Sequence, residues 1–193
     1  FYAVTKTGED VYNFMIADVA GHGVPAALVT MYLNLIWKDF VGIAESVSRL
    51  AQLISNRLFD LVGEKSHFIA ALVGQVDLGK MTITTVGAGC PKPVLFHKDG
   101  SHEEIKADGL LFGIDKDAEY AEIRTPCRGG DRLLLFSDGA TEIFNSQGKM
   151  LDSEGLIDVL RGQGYPAKEI DYNSLSTALL NYSDKIRFDD DVT

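Results

Sequence analysis

Apolar residues recur along this chain with two different periods, one typical of helices and one typical of strands. The clearest helical period lies in residues 47–62, where apolar side chains return every three or four positions. Those side chains are Val47, Leu50, Ala51, Ile54, Leu58, Leu61 and Val62. We predict an amphipathic helix there.

Three further helices are predicted. Pro25 suits the first turn of a helix that runs to about Phe40. A short helix, capped by Asp152 or Ser153, is expected to reach Leu160. The first of these helices has the apolar residues Leu28, Met31, Leu35 and Trp37. The third helix is predicted near the end of the chain from the apolar residues Leu175, Ala178, Leu179, Tyr182 and Ile186.

The period of strands appears in the remaining segments. Residues 11–17 are apolar and aromatic, and they predict a buried strand that runs into Asp18. Farther along, three pairs of strand-like segments each flank a turn rich in glycine and charged residues. The pairs are 67–76 with 81–86, 93–97 with 102–106, and 120–125 with 132–136. We predict that each pair is a β-hairpin.

The order of these elements indicates the fold class. Hairpins in series produce antiparallel sheet, and helices that come in pairs between blocks of strands argue against a doubly wound parallel fold. The middle strands have few polar positions that would face water, which suits two stacked sheets. We predict an α+β protein, a four-layer α-β-β-α sandwich of two antiparallel sheets flanked by helices.

The length and charge of the chain limit the number of domains and the classes of partner that it can have. The 193 residues suffice for one domain with a substantial core. A net charge of −10 argues against binding to nucleic acid, because a polyphosphate backbone requires a basic surface.

Residues 24–37 are the most apolar stretch, but they are shorter than the roughly 20 residues that span a bilayer, so we expect no membrane insertion by this segment. Cys90 and Cys127 lack the spacing of a thiolate zinc site, and two thiols fit a reducing compartment.

Acidic residues stand at three turns that lie far apart in the sequence. Asp18 follows the strand at 11–17, Asp138 follows the apolar segment 132–137, and residues 189–191 are all aspartate. Carboxylates gathered at one edge of a sheet repel one another unless cations lie between them. We therefore hypothesise a site for hard divalent metal ions, which in proteins commonly handle phosphate.

The first acidic turn also has structural interpretations. Asp18 could cap the helix that starts near Val24, because aspartate and glycine favour turns and helix starts in any protein. His22 lies between two glycines and could touch a substrate, although a hydrogen bond to its own turn is the more ordinary role.

The other two acidic turns have similar alternatives. Glu142 would lie near Asp138 if residues 139–144 were helical, as a solvated residue rather than a ligand. The acidic run at 189–191 could fray into solvent. Alternatively, residues 192–193 begin a strand that returns the chain to the sheet.

Four segments carry a resemblance to a known family. They are residues 18–27 (DVAGHGVPAA), 86–91 (VGAGCP), 130–142 (GDRLLLFSDGATE) and 190–193 (DDVT). In order and spacing they resemble the motifs of the bacterial SpoIIE/RsbU-type serine phosphatases, a branch of the protein phosphatase 2C-like (PPM) metal-dependent phosphatases. The family's versions are Asp-Val-Ser-Gly-His-Gly-x-Pro-Ala-Ala, Ala-Gly-His-Pro, Gly-Asp-x-Leu-Leu-Leu-x-Thr-Asp-Gly-x-x-Glu and Asp-Asp-x-Thr.

The resemblance implies a site and a reaction. Two Mn²⁺ or Mg²⁺ ions would be bridged by Asp18, and the Val19 carbonyl oxygen would help to hold one of them. Asp138 and Asp190 would hold the other ion. The catalytic residues are then Asp18, Asp138 and Asp190. The implied enzyme is a protein serine/threonine phosphatase that hydrolyses the phosphoester with a metal-activated water.

The resemblance also implies a biological setting. The substrate would be phosphoserine or phosphothreonine on a regulatory protein of the anti-sigma-factor antagonist type, in the bacterial cytoplasm. An upstream sensor domain and a homodimer are both compatible with the family. Because the chain begins at Phe1 rather than Met, we expect residues 1–193 to be one PP2C-like domain without its first and last strands.

Three departures from the family pattern are present. The family has Gly-Gly-Asp before its Phe-Tyr pair, and that aspartate belongs to the metal site, but here Phe1 is the first residue. The family has a strand after Asp-Asp-x-Thr, whereas this sequence stops at Thr193, and Cys90 stands where the family has a histidine that is not a metal ligand. The aspartate not seen here leaves open a catalytically inactive pseudophosphatase that serves as a binding module. A second alternative is another kind of two-metal hydrolase.

Overall fold

The computed structural model describes residues 1–62, 68–188 and 190–193. The chain divides into two compact units. The first unit comprises Phe1–Lys92 and Ile105–Gly129, and the second comprises Pro93–Glu104 and Gly130–Thr193. That the chain is one PP2C-like domain stays a prediction.

Eight strands and four α-helices make up the regular structure of the described residues. The strands are β1 (Tyr2–Lys6), β2 (Val11–Val19), β3 (Ile69–Asp77), β4 (Thr82–Ala88), β5 (Val94–Phe96), β6 (His102–Glu104), β7 (Ile123–Pro126) and β8 (Arg132–Leu134). The helices are α1 (Val24–Phe40), α2 (Val47–Val62), α3 (Asp152–Gly162) and α4 (Tyr172–Ser183). The helices come in pairs rather than after each strand, as predicted, but only α1 and α2 lie between strands, whereas α3 and α4 follow β8.

Each unit contains one antiparallel sheet. The first unit has five strands in the order β1-β2-β3-β4-β7, and the second has three in the order β6-β5-β8. The α+β class with two antiparallel sheets is confirmed. The hairpins β3–β4 and β5–β6 are confirmed as well, although His67, which the first prediction included, lies outside the described residues.

The third predicted hairpin is wrong. β7 pairs with β4 in the sheet of the first unit, and β8 pairs with β5 in the sheet of the second. The glycines at 129–130 do permit a sharp turn, and Gly130 has a φ of 98°. Turn residues predict a change of direction, but they do not specify the partner strand. The edge strand β1, which pairs with β2, has no counterpart among the sequence predictions.

Helix α1 has the predicted bounds, but of its four predicted apolar positions only Trp37 is buried. Leu28, Met31 and Leu35 are exposed. The buried residues are Val29, Leu33, Ile36 and Trp37. Because α1 is apolar on almost every side, its period alone does not select the packed face. Trp37 identifies the packed face, because its side chain is buried and its indole N–H donates a hydrogen bond to the Thr5 hydroxyl at 2.9 Å.

Replacing Leu33 with alanine should therefore destabilise the protein much more than the same change at Leu28. Leu33 is 0% exposed and Leu28 is 60% exposed. A buried leucine-to-alanine change costs about 2–5 kcal/mol in the free energy of unfolding, whereas most surface changes stay within about 0.5 kcal/mol. Urea unfolding of both variants measures the difference. A larger loss at Leu28 than at Leu33 would show that the opposite face of α1 is the packed one.

Helix α2 matches its prediction closely. Its predicted apolar positions Val47, Leu50, Ala51, Ile54 and Leu58 are all buried. Leu61, in the last turn, is exposed, and the side chain of Val62 lies outside the described residues. Together α1 and α2 form the hydrophobic core of the first unit with the apolar side chains of β2, β3 and β4.

Polar contacts hold the irregular segment that precedes β7 against α2. The Ser48 N–H donates to Glu122 Oε1 at 3.0 Å, and the Ser48 hydroxyl donates to the Tyr120 carbonyl oxygen at 2.7 Å. The Tyr120 hydroxyl donates to Ser55 Oγ at 2.9 Å, and burial raises the pKa of this tyrosine. Glu122 thus satisfies an N–H group at the start of α2, where a carboxylate is also favoured by the helix dipole.

The second unit packs α3 and α4 with its short strands. The Asp152 carboxylate accepts the Gly155 N–H at 3.0 Å in the first turn of α3, but the N-cap of this helix is Leu151 rather than the predicted Asp152 or Ser153. Helix α4 ends at Ser183, because Asp184 adopts a left-handed φ of 55°. Ile186, which the sequence placed in that helix, lies beyond it and is 97% exposed. Of the described helices, none combines the length and apolar character needed to cross a bilayer.

Candidate metal centre

Asp18 lies near the end of β2, in the first unit. It is paired in register with Ala70 of β3, and β2 ends one residue later at Val19. The turn that follows needs glycine, because Gly21 and Gly23 have φ values of 103° and 78°.

The capping role considered for Asp18 is wrong. The N-cap of α1 is Gly23, which has no side chain that could cap the helix. His22 is exposed and forms no hydrogen bond with any residue that the structure describes, so the hydrogen bond predicted for it is not found either. Asp18 is therefore not the N-cap residue of α1.

Asp138 lies at the start of a tight turn in the second unit, separated from the end of β8 by residues 135–137. Ser137 is extended, and Asp138–Ala140 form one turn of 3₁₀-helix. The Asp138 side chain accepts a hydrogen bond from the Gly139 N–H at 2.9 Å. The backbone carbonyl oxygen of Asp138 accepts one from the Thr141 N–H at 2.8 Å. The helix considered for residues 139–144 is therefore a single turn, and Glu142 is exposed, as predicted.

Ser137 also anchors residues 191–193. The Ser137 hydroxyl donates to the Asp191 carbonyl oxygen at 2.9 Å, and the Ser137 N–H donates to the Thr193 carbonyl oxygen at 3.1 Å. In addition, the Thr193 N–H donates to Ser137 Oγ at 3.1 Å. Asp191 and Thr193 are therefore bonded to Ser137 rather than frayed into solvent. Residues 191–193 are irregular rather than a strand, and Asp189 lies outside the described residues.

A glycine permits this close approach. A Cβ atom on Gly139 would lie 2.4 Å from the carbonyl oxygen of Asp191 and 3.0 Å from its carbonyl carbon. Only a residue without a side chain lets the two backbone segments pack so tightly. As a result, a carboxylate oxygen of Asp138 and one of Asp190 lie within 4.8 Å of each other. The second unit thus brings together two of the three aspartates named from the sequence.

The donor set of this pair fits a hard divalent cation. Both side chains offer carboxylate oxygens, which Mg²⁺ and Mn²⁺ prefer over nitrogen or sulfur ligands. Two negative charges this close repel each other, and a cation between them would turn that repulsion into attraction. Asp18 and Val19 belong to the other unit, so their participation stays a prediction from the sequence.

A family model described as Stage II sporulation protein E (SpoIIE) matches residues 8–193. The chain belongs to the SpoIIE family. This confirms the resemblance inferred from the four motifs, and the matched region contains Asp18, Asp138 and Asp190.

One relative of this SpoIIE-family chain is the phosphoserine phosphatase RsbU of Bacillus subtilis strain 168. The two are 30% identical over 152 residues, which cover 77% of this chain and 44% of RsbU. The chain thus spans less than half the length of that relative.

Solved structures show the same fold. The RsbU and RsbW domains of a Mycobacterium tuberculosis protein match with a TM-score of 0.81 at 23% identity, covering 100% of this chain and 53% of that one. The SiaA-PP2C domain of Pseudomonas aeruginosa matches with a TM-score of 0.79 at 22% identity, covering 100% of this chain and 77% of that one. The SpoIIE-family chain therefore has a PP2C-like fold, as predicted.

Proposed function

We propose that this chain is the catalytic part of a metal-dependent protein serine/threonine phosphatase. The observation that carries the proposal is the approach of Asp138 and Asp190 to within 4.8 Å, held by hydrogen bonds around Ser137. Membership of the SpoIIE family supports it. So does the similarity to RsbU, which is named a phosphoserine phosphatase.

In this proposal Asp138 and Asp190 would hold one Mn²⁺ or Mg²⁺ ion. Asp18 would serve as a ligand of that ion and of a second one, which the carbonyl oxygen of Val19 would help to hold. When bound, such ions lower the pKa of a water molecule and neutralise charge on the phosphoryl oxygens. The chain's contribution is placement, because Asp18 precedes a turn that requires glycine and the Asp138 carboxylate accepts the Gly139 N–H.

We further propose that the substrate is a phosphorylated regulatory protein of the anti-sigma-factor antagonist type, in the cytoplasm. The M. tuberculosis structure, which contains an RsbU domain together with an RsbW domain, supports a partner in that pathway. A net charge of −10 repels a phosphoprotein at long range. Recognition of such a substrate therefore depends on local contacts beside the metal centre.

Dephosphorylation of a phosphoserine protein should require added Mn²⁺ or Mg²⁺. Excess EDTA is expected to lower turnover by about 100-fold or more, because the ions supply several kcal/mol of transition-state stabilisation. Released phosphate measures turnover, and calorimetry measures Mn²⁺ binding. Returning the metal should restore activity.

Other outcomes separate the alternatives. Full turnover in chelator would exclude a metal mechanism. A chain that binds no metal and turns over no phosphoester would be a pseudophosphatase. Hydrolysis of a nucleotide diester without hydrolysis of phosphoserine would indicate another two-metal hydrolase.

A further inference from the structure

The Ser137 hydroxyl links the two segments that carry the paired carboxylates of the second unit. Ser137 precedes Asp138 in sequence, and its hydroxyl donates to the carbonyl oxygen of Asp191, the residue after Asp190, at 2.9 Å. The same hydroxyl oxygen accepts the Thr193 N–H at 3.1 Å. One hydroxyl group therefore joins the turn of the first carboxylate to the segment of the second.

Each of the two carboxylates is oriented by the residue that follows it. The Asp138 side chain accepts the Gly139 N–H at 2.9 Å, and the Asp190 side chain accepts the Asp191 N–H at 2.8 Å. Asp191 is thus bonded on both sides, through its N–H to the Asp190 carboxylate and through its carbonyl oxygen to the Ser137 hydroxyl. A shift of Asp191 would therefore move the Asp190 carboxylate as well.

Repulsion between the carboxylates opposes this arrangement when no cation lies between them. A carboxylate oxygen of Asp138 and one of Asp190 lie within 4.8 Å of each other, and like charges at that separation repel. Ser137 is only 8% exposed, and the loss of a hydrogen-bond partner in a buried position is costly. The hydrogen bonds of Ser137 therefore act against the repulsion.

We propose that Ser137 is a positioning residue whose hydroxyl sets the affinity of the Asp138–Asp190 pair for Mn²⁺ or Mg²⁺. The proposal rests on the proposed function and adds to it a residue outside the ligand set that governs metal binding. Because the coupling between two linked equilibria is reciprocal, a metal ion held by both carboxylates also keeps residues 190–193 closed on the Asp138 turn.

Changing Ser137 to alanine removes both hydroxyl bonds and leaves every carboxylate in place. We expect the Mn²⁺ dissociation constant, measured by calorimetry on the full chain, to rise about 10- to 100-fold, as is typical when a group that orients a metal ligand is lost. Ser137→Thr should retain the affinity of the natural protein. Threonine keeps the hydroxyl, and it suits the extended backbone of this position, where φ is −85° and ψ is 164°.

Ser183→Ala is the matched control. Ser183 is a buried serine of the same unit, and its hydroxyl donates to the Leu180 carbonyl oxygen at 3.0 Å within α4. Like Ser137→Ala, the substitution removes a hydroxyl that is bonded to the backbone, but it should leave the Mn²⁺ affinity unchanged. Urea unfolding without metal measures the loss of stability in both variants.

Hydrogen exchange in the natural protein tests the reciprocal effect without a substitution. Mg²⁺ is used for this experiment because it is diamagnetic and permits detection by NMR. At 100 times its Kd, Mg²⁺ should slow exchange of the Thr193 N–H by roughly 10- to 100-fold, because opening of this segment competes with metal binding. The Gly148 N–H, which donates to the Asn145 carbonyl oxygen at 2.9 Å in another turn, is the internal reference.

The outcomes separate this proposal from the proposed function. Equal Mn²⁺ affinities of the natural protein and Ser137→Ala would overturn the role of Ser137, and so would equal losses of affinity in Ser137→Ala and Ser183→Ala. If Ser137→Ala does not fold, the exchange experiment decides, and Thr193 exchange that is unchanged by bound Mg²⁺ would overturn the role. Weaker metal binding in Ser137→Ala, in a chain whose natural form hydrolyses no phosphoserine, would support the role and contradict the phosphatase.

Discussion

Changing Asp138 to asparagine should lower turnover of a phosphoserine substrate by about 100-fold or more. The substitution removes one of the two negative charges that lie within 4.8 Å of each other in the second unit. An amide oxygen is a weaker ligand for a hard cation than a carboxylate oxygen is. We therefore expect both Mn²⁺ affinity and catalysis to fall. Calorimetry and phosphate release measure the two losses separately.

The fold should survive this substitution. Asparagine keeps an oxygen that can accept the Gly139 N–H, the bond that Asp138 makes at 2.9 Å. It also relieves the repulsion between Asp138 and Asp190, so stability without metal should not fall. With metal at 100 times its Kd, the natural protein gains about 2.7 kcal/mol, and the variant should gain much less. Thermal unfolding with and without Mn²⁺ measures this.

Asp158→Asn is the control for that experiment. Asp158 is an exposed aspartate on α3 in the same unit, so the same chemical change there should leave activity and metal-dependent stability unaltered. If Asp138→Asn retained full activity, Asp138 would have to be removed from the proposed ligands. If it unfolded the protein without metal, its role would be structural.

The contrast between α1 and α2 shows what the hydrophobic pattern can predict. In α2 the apolar positions are separated by polar ones, and a single face fits the period, so both the helix and its buried side follow from the sequence. In α1 apolar residues cover most faces, and Leu28 and Leu33 look equivalent. Only the tertiary contact of Trp37 with Thr5 selects between them.

The candidate site shows a similar division. A strand followed by a turn at Asp18 and at Asp138 could be predicted from local sequence, because apolar runs and glycine turns are local signals. The three acidic turns suggest that carboxylates gather at one edge of a sheet, but the choice of Asp190 as the aspartate that approaches Asp138 comes only from the family resemblance. The approach itself depends on bonds between Ser137 and residues 191–193, which are more than fifty residues away in sequence. Whether Asp18 joins the pair stays a prediction.

Changing Gly139 to alanine should disrupt the carboxylate pair without altering any carboxylate. The added Cβ would lie 2.4 Å from the Asp191 carbonyl oxygen, and backbone atoms must move to relieve that contact. Such overpacking costs about 1–3 kcal/mol of stability. A displacement of about 1 Å at a catalytic group can lower the rate by about 100-fold. We expect losses of this size in stability and turnover, together with weaker Mn²⁺ binding, by urea unfolding, phosphate release and calorimetry.

Gly162→Ala is the matched control for Gly139→Ala. Gly162 is the last residue of α3, and a Cβ there meets no atom within 4 Å. Alanine is favoured over glycine in a helix by up to about 1 kcal/mol, so this variant should be at least as stable as the natural protein and fully active. If Gly139→Ala matched it in Mn²⁺ affinity and turnover, the tight packing of residues 190–191 on the Asp138 turn would not be what positions the metal ligands.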